Sequence, residues 1–262
     1  MKIATWNVNS VRIRIDQVIN WLETNQVDVL CLQETKVIDS GFPYSDFTNI
    51  GYHCYAAGQK SYNGVAMISK QELSSYSQGF TPILGAETVG EFDIQKRLIT
   101  GVIDNIRVIS VYVPNGGGVV EKYEYKIYWL KLLYYYLEEL LKSNQEICIC
   151  GDFNIAPDSR DIYLTISENN PVVGATELER ELLKKICDLG FTDLFRKFCD
   201  AGENYSWWNY REAAFRRNLG WRIDHIYGTE KLIDRATSCL IDRQPRKLVQ
   251  PSDHTPVIAE FL

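Results

Sequence analysis

Glu146-Ile147-Cys148-Ile149-Cys150-Gly151-Asp152-Phe153-Asn154 is the stretch on which the fold turns. Glu146 to Cys150 reads as a strand, and the apolar run then stops on an acid and an amide two positions apart. Upstream, Lys122 to Lys142 places Tyr125, Trp129, Leu132, Leu133, Tyr136 and Leu140 at three- and four-residue steps. That spacing predicts a helix, and its aromatic stripe is read as core packing. Further upstream, Arg107 to Val113, Leu98 to Ile103 and Gly64 to Ser69 read as short strands between Gly- and Asn-rich turns.

Working outward in both directions gives the same mixture. Val27 to Gln33 reads as a buried strand that delivers Glu34 at its end. Lys2 to Asn9 alternates, with Ile3, Thr5, Asn7 and Asn9 facing one way and Ala4, Trp6 and Val8 the other. A helical period follows in Val11, Ile15, Val18, Ile19 and Leu22. Toward the C-terminus, Glu177 to Leu189 is helical, and Arg222 to Tyr227 and Pro256 to Phe261 are strands. No Pro/Ser-rich linker or repeat divides residues 1–262, so one domain is expected. Helices and strands without strict alternation predict an α/β fold of two sheets packed face to face with helices outside.

Composition narrows the class. With 45% hydrophobic and 12% aromatic residues, the 262-residue chain has apolar surface for a sizeable core and is no disordered chain. A net charge of -6 argues against a surface that coats nucleic acid through broad positive charge. Lys96-Arg97, Arg216-Arg217 and Arg243 with Arg246-Lys247 are local cationic groups, each read singly as a solvated face. No apolar run approaches the roughly 18 residues of a membrane helix, and the N-terminus enters a strand pattern without a signal peptide's apolar stretch. The seven cysteines are odd in number and mostly set in apolar runs, which predicts free, buried thiols in a reducing, cytoplasmic compartment. Cys148-x-Cys150 lacks a partner pair at zinc-ligand spacing.

The chemistry lies in polar residues just beyond apolar strands: Asn7 and Asn9, Glu34, Tyr112 with Asn115, Asp152 with Asn154, Asp224, and Asp253-His254. Carboxylate and amide oxygens in such positions suit a hard divalent cation that also needs room for water and phosphate; a solvated strand end is the alternative for Glu34. Asp152 can orient or deprotonate a water while Asn154 donates to a developing phosphate charge, though Gly-Asp-x-Asn also suits an Asx-turn. His254 is the strongest of the three histidines because its turn is crowded with polar residues; an acid beside it would keep it charged and able to hold a phosphate, and a hydrogen-bonded turn histidine is the alternative. Tyr112 and Asn115 can donate to phosphate oxygens or simply form a capped turn. Trp207-Trp208 and Trp221 stand near Arg211, Arg216, Arg217 and Arg222, an arrangement that suits stacking on sugars with cations on phosphates. Core packing is expected for at least one of these indoles.

These segments in this order resemble the exonuclease III type of abasic-site endonuclease, within the endonuclease/exonuclease/phosphatase superfamily. The matching pieces are Thr5-Trp6-Asn7-Val8-Asn9, Leu32-Gln33-Glu34-Thr35-Lys36, Tyr112-Val113-Pro114-Asn115-Gly116 and Gly151-Asp152-Phe153-Asn154-Ile155-Ala156-Pro157. Gly220-Trp221-Arg222-Ile223-Asp224-His225 and Ser252-Asp253-His254 complete them, so the likeness spans nearly the whole chain. The resemblance implies a four-layered α/β sandwich of two packed mixed sheets flanked by helices. It implies Mg²⁺ or Mn²⁺ held by Glu34, with Asn7, Asp152, Asn154, Asp253 and His254 around the metal and phosphate. It further implies Asp152 on the attacking water, Asn154 steadying it, Asp224 paired with His254, and Tyr112 on the scissile phosphate. Arg97, Asn115, Trp207 and Trp221 would contact DNA. Two departures stand out: Asn9 where some relatives carry Asp, and Gly116-Gly117-Gly118 where some insert a longer side chain into the duplex.

The expected function is a Mg²⁺-dependent repair phosphodiesterase. It would act as a monomer on double-stranded DNA at abasic sites or 3′ ends, as endonuclease, 3′-5′ exonuclease and 3′-phosphatase, with no membrane partner. The alternative is another phosphoesterase of the superfamily acting on small or lipid phosphate esters, which a substrate panel would separate. A noncatalytic scaffold on this fold should have lost one of Glu34, Asp152, Asn154 or His254, and all are present.

Overall fold

The computed structural model describes residues 1–143, 146–164 and 172–262. One six-stranded sheet holds β1 (Lys2–Asn7), β2 (Val29–Gln33), β3 (His53–Ala57), β4 (Val65–Ser69), β13 (Ala236–Ile241) and β14 (Val257–Phe261), in the order β13-β14-β1-β2-β4-β3. A second six-stranded sheet holds β5 (Ser75–Gln78), β6 (Leu98–Ile103), β7 (Ile106–Tyr112), β8 (Glu146–Asp152), β9 (Phe191–Asp193) and β12 (Asp224–Thr229), in the order β5-β6-β7-β8-β12-β9. A short antiparallel ribbon pairs β10 (Trp207–Trp208) with β11 (Gly220–Trp221).

Both sheets are mixed, for the same reason. At the centre of one, β1 runs parallel to β2, and at the centre of the other β7 runs parallel to β8. A parallel pair needs a long crossover. The Val11–Asn25 helix supplies it in the first sheet and the Val120–Leu141 helix in the second. The remaining pairs are antiparallel.

Strand alternation then sorts side chains into layers. Ile3, Val29, Cys31 and Met67 meet Val108, Cys148, Cys150 and Ile226 between the sheets. Ala4, Trp6 and Val8 face the other way, against Val11, Val18 and Leu22 of the first crossover helix. Ile147 and Ile149 likewise turn outward to Trp129, Leu133 and Tyr136 of the second, joined by Leu183 and Ile186 of the Glu177–Asp188 helix. The order is helix, sheet, sheet, helix. The aromatic stripe is core, and all seven cysteines are free, four of them buried.

Some boundaries differ from the sequence reading. β1 stops at Asn7, because Asn9 and Ser10 turn the chain with positive φ of 44° and 88°. The helix expected over Lys122 to Lys142 runs Val120–Leu141, and β8 continues through Asp152. Among the described residues, no helix is long and apolar enough to cross a membrane.

Candidate active site

The two parallel pairs end on one rim. β1 closes on Asn7 and β2 runs into Glu34, while β7 closes on Tyr112 and β8 on Asp152. β12 begins opposite, with Asp224 in register with Asp152. Gly151 permits the close approach of β8 to β7, since a Cβ there would sit 1.9 Å from the Val111 carbonyl oxygen. The turn before β14 adds Asp253 and His254, fixed by Ser252, whose hydroxyl donates to the Asn7 carbonyl at 2.7 Å. Glu34, Tyr112, Asp152, Asp253 and His254 line a cleft of about 380 Å³ with Asn115, Asn154, Trp207 and Trp221.

Asp152 closes the Asx-turn that its sequence allowed with one oxygen and meets Asn7 and His254 with the other. Its Oδ1 accepts the Asn154 backbone N–H at 2.9 Å, closing an Asx-turn with Asn154 at φ 51°. Its Oδ2 accepts from Asn7 Nδ2 at 2.9 Å and lies 3.7 Å from His254 Nε2. The same Asn7 amide donates to Glu34 Oε1 at 2.9 Å, so Asn7 ties the two carboxylates together. Its own oxygen accepts the Asn9 N–H at 3.0 Å and faces the chain.

His254 is oriented from behind. Its Nδ1 stands 2.8 Å from Asp224 Oδ2, which also accepts the Ser206 hydroxyl at 2.7 Å. Burial alone would lower its pKa, but the Asp224 and Asp152 carboxylates outweigh that and push it up to about 10. Burial acts oppositely on Asp152: with help from Asp224 and Glu34 it overrides the pull of His254 and raises the pKa to about 7. Glu34 is lowered, because Lys36 and Asn7 more than offset its burial. Burial lifts the Tyr112 phenol well above its usual range, and Glu34 and Asp152 add to the effect. Tyr112 is thus a neutral donor.

The remaining expected residues take more indirect places. Asp253 accepts from Asn9 Nδ2 at 2.9 Å and from Trp207 Nε1 at 3.0 Å, which commits both of its oxygens. Asn154 Nδ2 donates to the Val113 carbonyl at 2.9 Å, and its oxygen accepts from Asn115 at 3.1 Å. The Arg97 guanidinium lies over the Tyr112 ring, 4.6 Å from its centroid. Trp207 and Trp221 meet edge to face at 6.2 Å on the cleft wall. Trp208 is fully buried, the core indole of the three.

Arg222, read as a cation for phosphate, and Arg246, read as part of a solvated face, are both interior instead. Arg222 is 1% exposed and pairs with Asp161 at 2.6 Å and Asp193 at 2.8 Å. Arg246 is buried over the Tyr210 and Phe215 rings. Conversely, Ser206 and Lys36 belong to the site without having been singled out. Lys36 Nζ bridges Glu34 Oε2 at 2.7 Å and Asn9 Oδ1 at 2.6 Å. Its place in Gln33-Glu34-Thr35-Lys36 was the available signal; nothing around Ser206 offered one.

Glu34, Asp152 and His254 bring one potential ligand atom each to within 4.8 Å of one another. The donor set fits a hard divalent cation: two carboxylates, one with its pKa raised by burial, in a cleft with room for more oxygens. The model of the Endonuclease/Exonuclease/phosphatase family matches residues 4–254. The chain belongs to that family. Metal dependence is general to the family. The chain is 35% identical to exodeoxyribonuclease III of Haemophilus influenzae over 273 residues, covering 100% of both. It is 41% identical to an AP endonuclease from Archaeoglobus fulgidus, with a TM-score of 0.92 over 100% of this chain and 99% of that one. A 3′ phosphatase from Neisseria bound to a product DNA hairpin is similar at 36% identity, with a TM-score of 0.93 over 100% of this chain and 99% of that one. The Endonuclease/Exonuclease/phosphatase fold, two mixed sheets flanked by helices, is the fold seen here.

Proposed function

We propose that the chain is a hydrolytic DNA-repair nuclease that uses Mg²⁺ or Mn²⁺, cuts the backbone of double-stranded DNA 5′ to abasic sites, and trims 3′ ends. It works as a monomer in a reducing, cytoplasmic setting, for which free cysteines are suited. The observation that carries the reading is the meeting of Glu34, Asp152 and His254 beside a cleft walled by Trp207 and Trp221. The names of the relatives agree with it.

Each residue has a definable task. Glu34 and Asp152 are the oxygen ligands for the cation, since His254 is held positive by Asp224. When bound, a hard divalent cation supplies Lewis-acid charge at the phosphate. Positive His254 and the neutral Tyr112 phenol face the same cleft and can hold phosphate oxygens. Asp152 can take a proton from water as the water attacks phosphorus, and the departing O3′ takes one up from solvent. The P–O3′ bond breaks in line, leaving a 3′-hydroxyl on one side and a 5′-phosphate on the other. A bare sugar can leave the stack without the unpairing cost of an intact nucleotide and lodge against the two indoles.

An abasic duplex, a recessed 3′ end, a 3′-phosphate end and a panel of small or lipid phosphate esters, each with and without EDTA, test the reading. Metal-dependent cleavage of the DNA substrates is expected. Hydrolysis of the small esters alone, or full activity in EDTA, would overturn it.

A further inference from the structure

Two opposite charges lie wholly inside the protein, behind the cleft wall. Lys126, on the Val120–Leu141 helix, and Glu179, in the first turn of the Glu177–Asp188 helix, are both 0% exposed and 2.5 Å apart. Removing two charges from water is expensive, and an apolar pair of similar volume is often as stable or more so. Stability alone therefore explains the pair poorly.

Its hydrogen bonds suggest another purpose. The ammonium has three donors. They meet Glu179, the Asn154 carbonyl at 2.8 Å and the Asn115 carbonyl at 3.3 Å. Glu179 in turn accepts the Gly174 N–H at 2.8 Å and the Thr176 N–H at 3.0 Å. Asn115, Asn154 and Gly174 all line the cleft. One ion pair thus joins three wall segments that follow β7, follow β8 and precede the Glu177–Asp188 helix. Asn154, at φ 51°, has its N–H held by the Asp152 Asx-turn and its carbonyl held by the ammonium, so the pair completes the clamp on this residue. Glycines leave the space required: a Cβ at Gly116 would lie 2.8 Å from Lys126 Cδ, and one at Gly174 2.8 Å from the Trp221 ring.

We infer that Lys126 and Glu179 are a positioning pair that sets Asn154 for turnover, together with Asn115 and the backbone behind Trp221. The pair touches no substrate, and the inference rests on the nuclease reading given above. Lys126→Met alone strands a buried carboxylate, so the decisive variant is Lys126→Met/Glu179→Gln, which keeps an acceptor for Gly174. Lys126→Gln/Glu179→Gln, which leaves no buried charge and keeps polar groups on both sides, gives the same comparison at smaller amplitude if the first double variant does not fold. Melting curves, kcat and KM on an abasic duplex are measured in the natural and Asn154→Ala backgrounds. In the natural background kcat should fall about tenfold or more with KM nearly constant, and in Asn154→Ala the further loss should be under about threefold. The melting shift should be equal in both. Unchanged kcat in a folded variant, or equal fold-losses in both backgrounds, overturns the proposal. If the unsubstituted chain cleaves no DNA, the nuclease reading fails first. The side-chain amide resonances of Asn115 and Asn154 then decide separately: they should shift in the variant, and resonances that stay in place overturn the positioning role.

Discussion

Two clusters of buried charge sit at either end of Arg222-Ile223-Asp224, and they are built on opposite principles. Around Arg222, two guanidiniums face two carboxylates: Asp161 takes Arg222 and Arg196, and Asp193 takes Arg222 again. Burial would raise the pKa of Asp161, but the arginines hold it below its usual range. Around Asp224 the count is uneven. Among the described residues, the ion pairs of Glu34, Asp152 and Asp224 are with His254 and Lys36, Asp253 lies beside His254, and burial pushes Asp152 up with help from Asp224 and Glu34. A balanced cluster braces the chain, whereas one with excess carboxylate is open to a cation from outside.

The sharpest way to break this contrast is Asp152→Asn. Turnover should fall by about 10³-fold or more, while DNA binding persists in an anisotropy titration. The metal-free variant should melt no lower than the parent, because a neutral amide replaces a carboxylate that burial opposes. A cooperative loss of stability would place Asp152 with the braces. The opposite signature is expected of Arg222→Met: a loss of about 3–5 kcal/mol in urea unfolding, since Asp161 and Asp193 lose their partner. Turnover per folded molecule should change far less. If kcat collapsed while stability held, Arg222 would belong to the chemistry.

Proton linkage sharpens the comparison further. A carboxylate must lose its proton to ligate a metal, and in the free protein Asp152 holds its own up to about pH 7. Metal affinity measured by calorimetry should therefore drop by about tenfold per pH unit below that point and level off above it. Affinity that is flat between pH 5 and 7 would exclude Asp152 as a ligand. The smallest effect is expected at the aromatic wall. Trp221→Ala should slow abasic incision by about tenfold, the scale of one aromatic contact, and 3′-phosphate removal by less. Parallel losses that track melting would make Trp221 a core residue.

The sequence announced the centre of the fold better than its margins. β1, β2, β7 and β8 are buried on both faces or alternate cleanly, so their patterns are strong. The four edge strands, β3, β5, β9 and β13, escaped notice altogether. An edge strand packs on one side only, and the half-exposed residues of β5 and β13 carry no alternation to read. The site shows the same divide. Acids after apolar runs were visible, and the structure gathers Glu34, Asp152 and His254 in one place. Arg222 and Lys126 were not interpretable, because a charge reveals nothing of a partner 61 residues away, as Asp161 is from Arg222. Arg222 was accordingly read as a cation for phosphate, and Lys126 was passed over within a helix.

The placement of β14 has a consequence for the chain as it is made. It lies between β13 and β1, and the turn just before it delivers His254. Ser252 reaches back 245 residues to the Asn7 carbonyl. During translation, Asn7 and Glu34 emerge before His254, and the sheet stays open beside β1 until β14 docks. A ribosome-bound chain stalled before that point holds the carboxylates without their imidazole, on a sheet with a missing strand. Synthesis thus keeps the centre incomplete until the segment carrying His254 and β14 has left the ribosome.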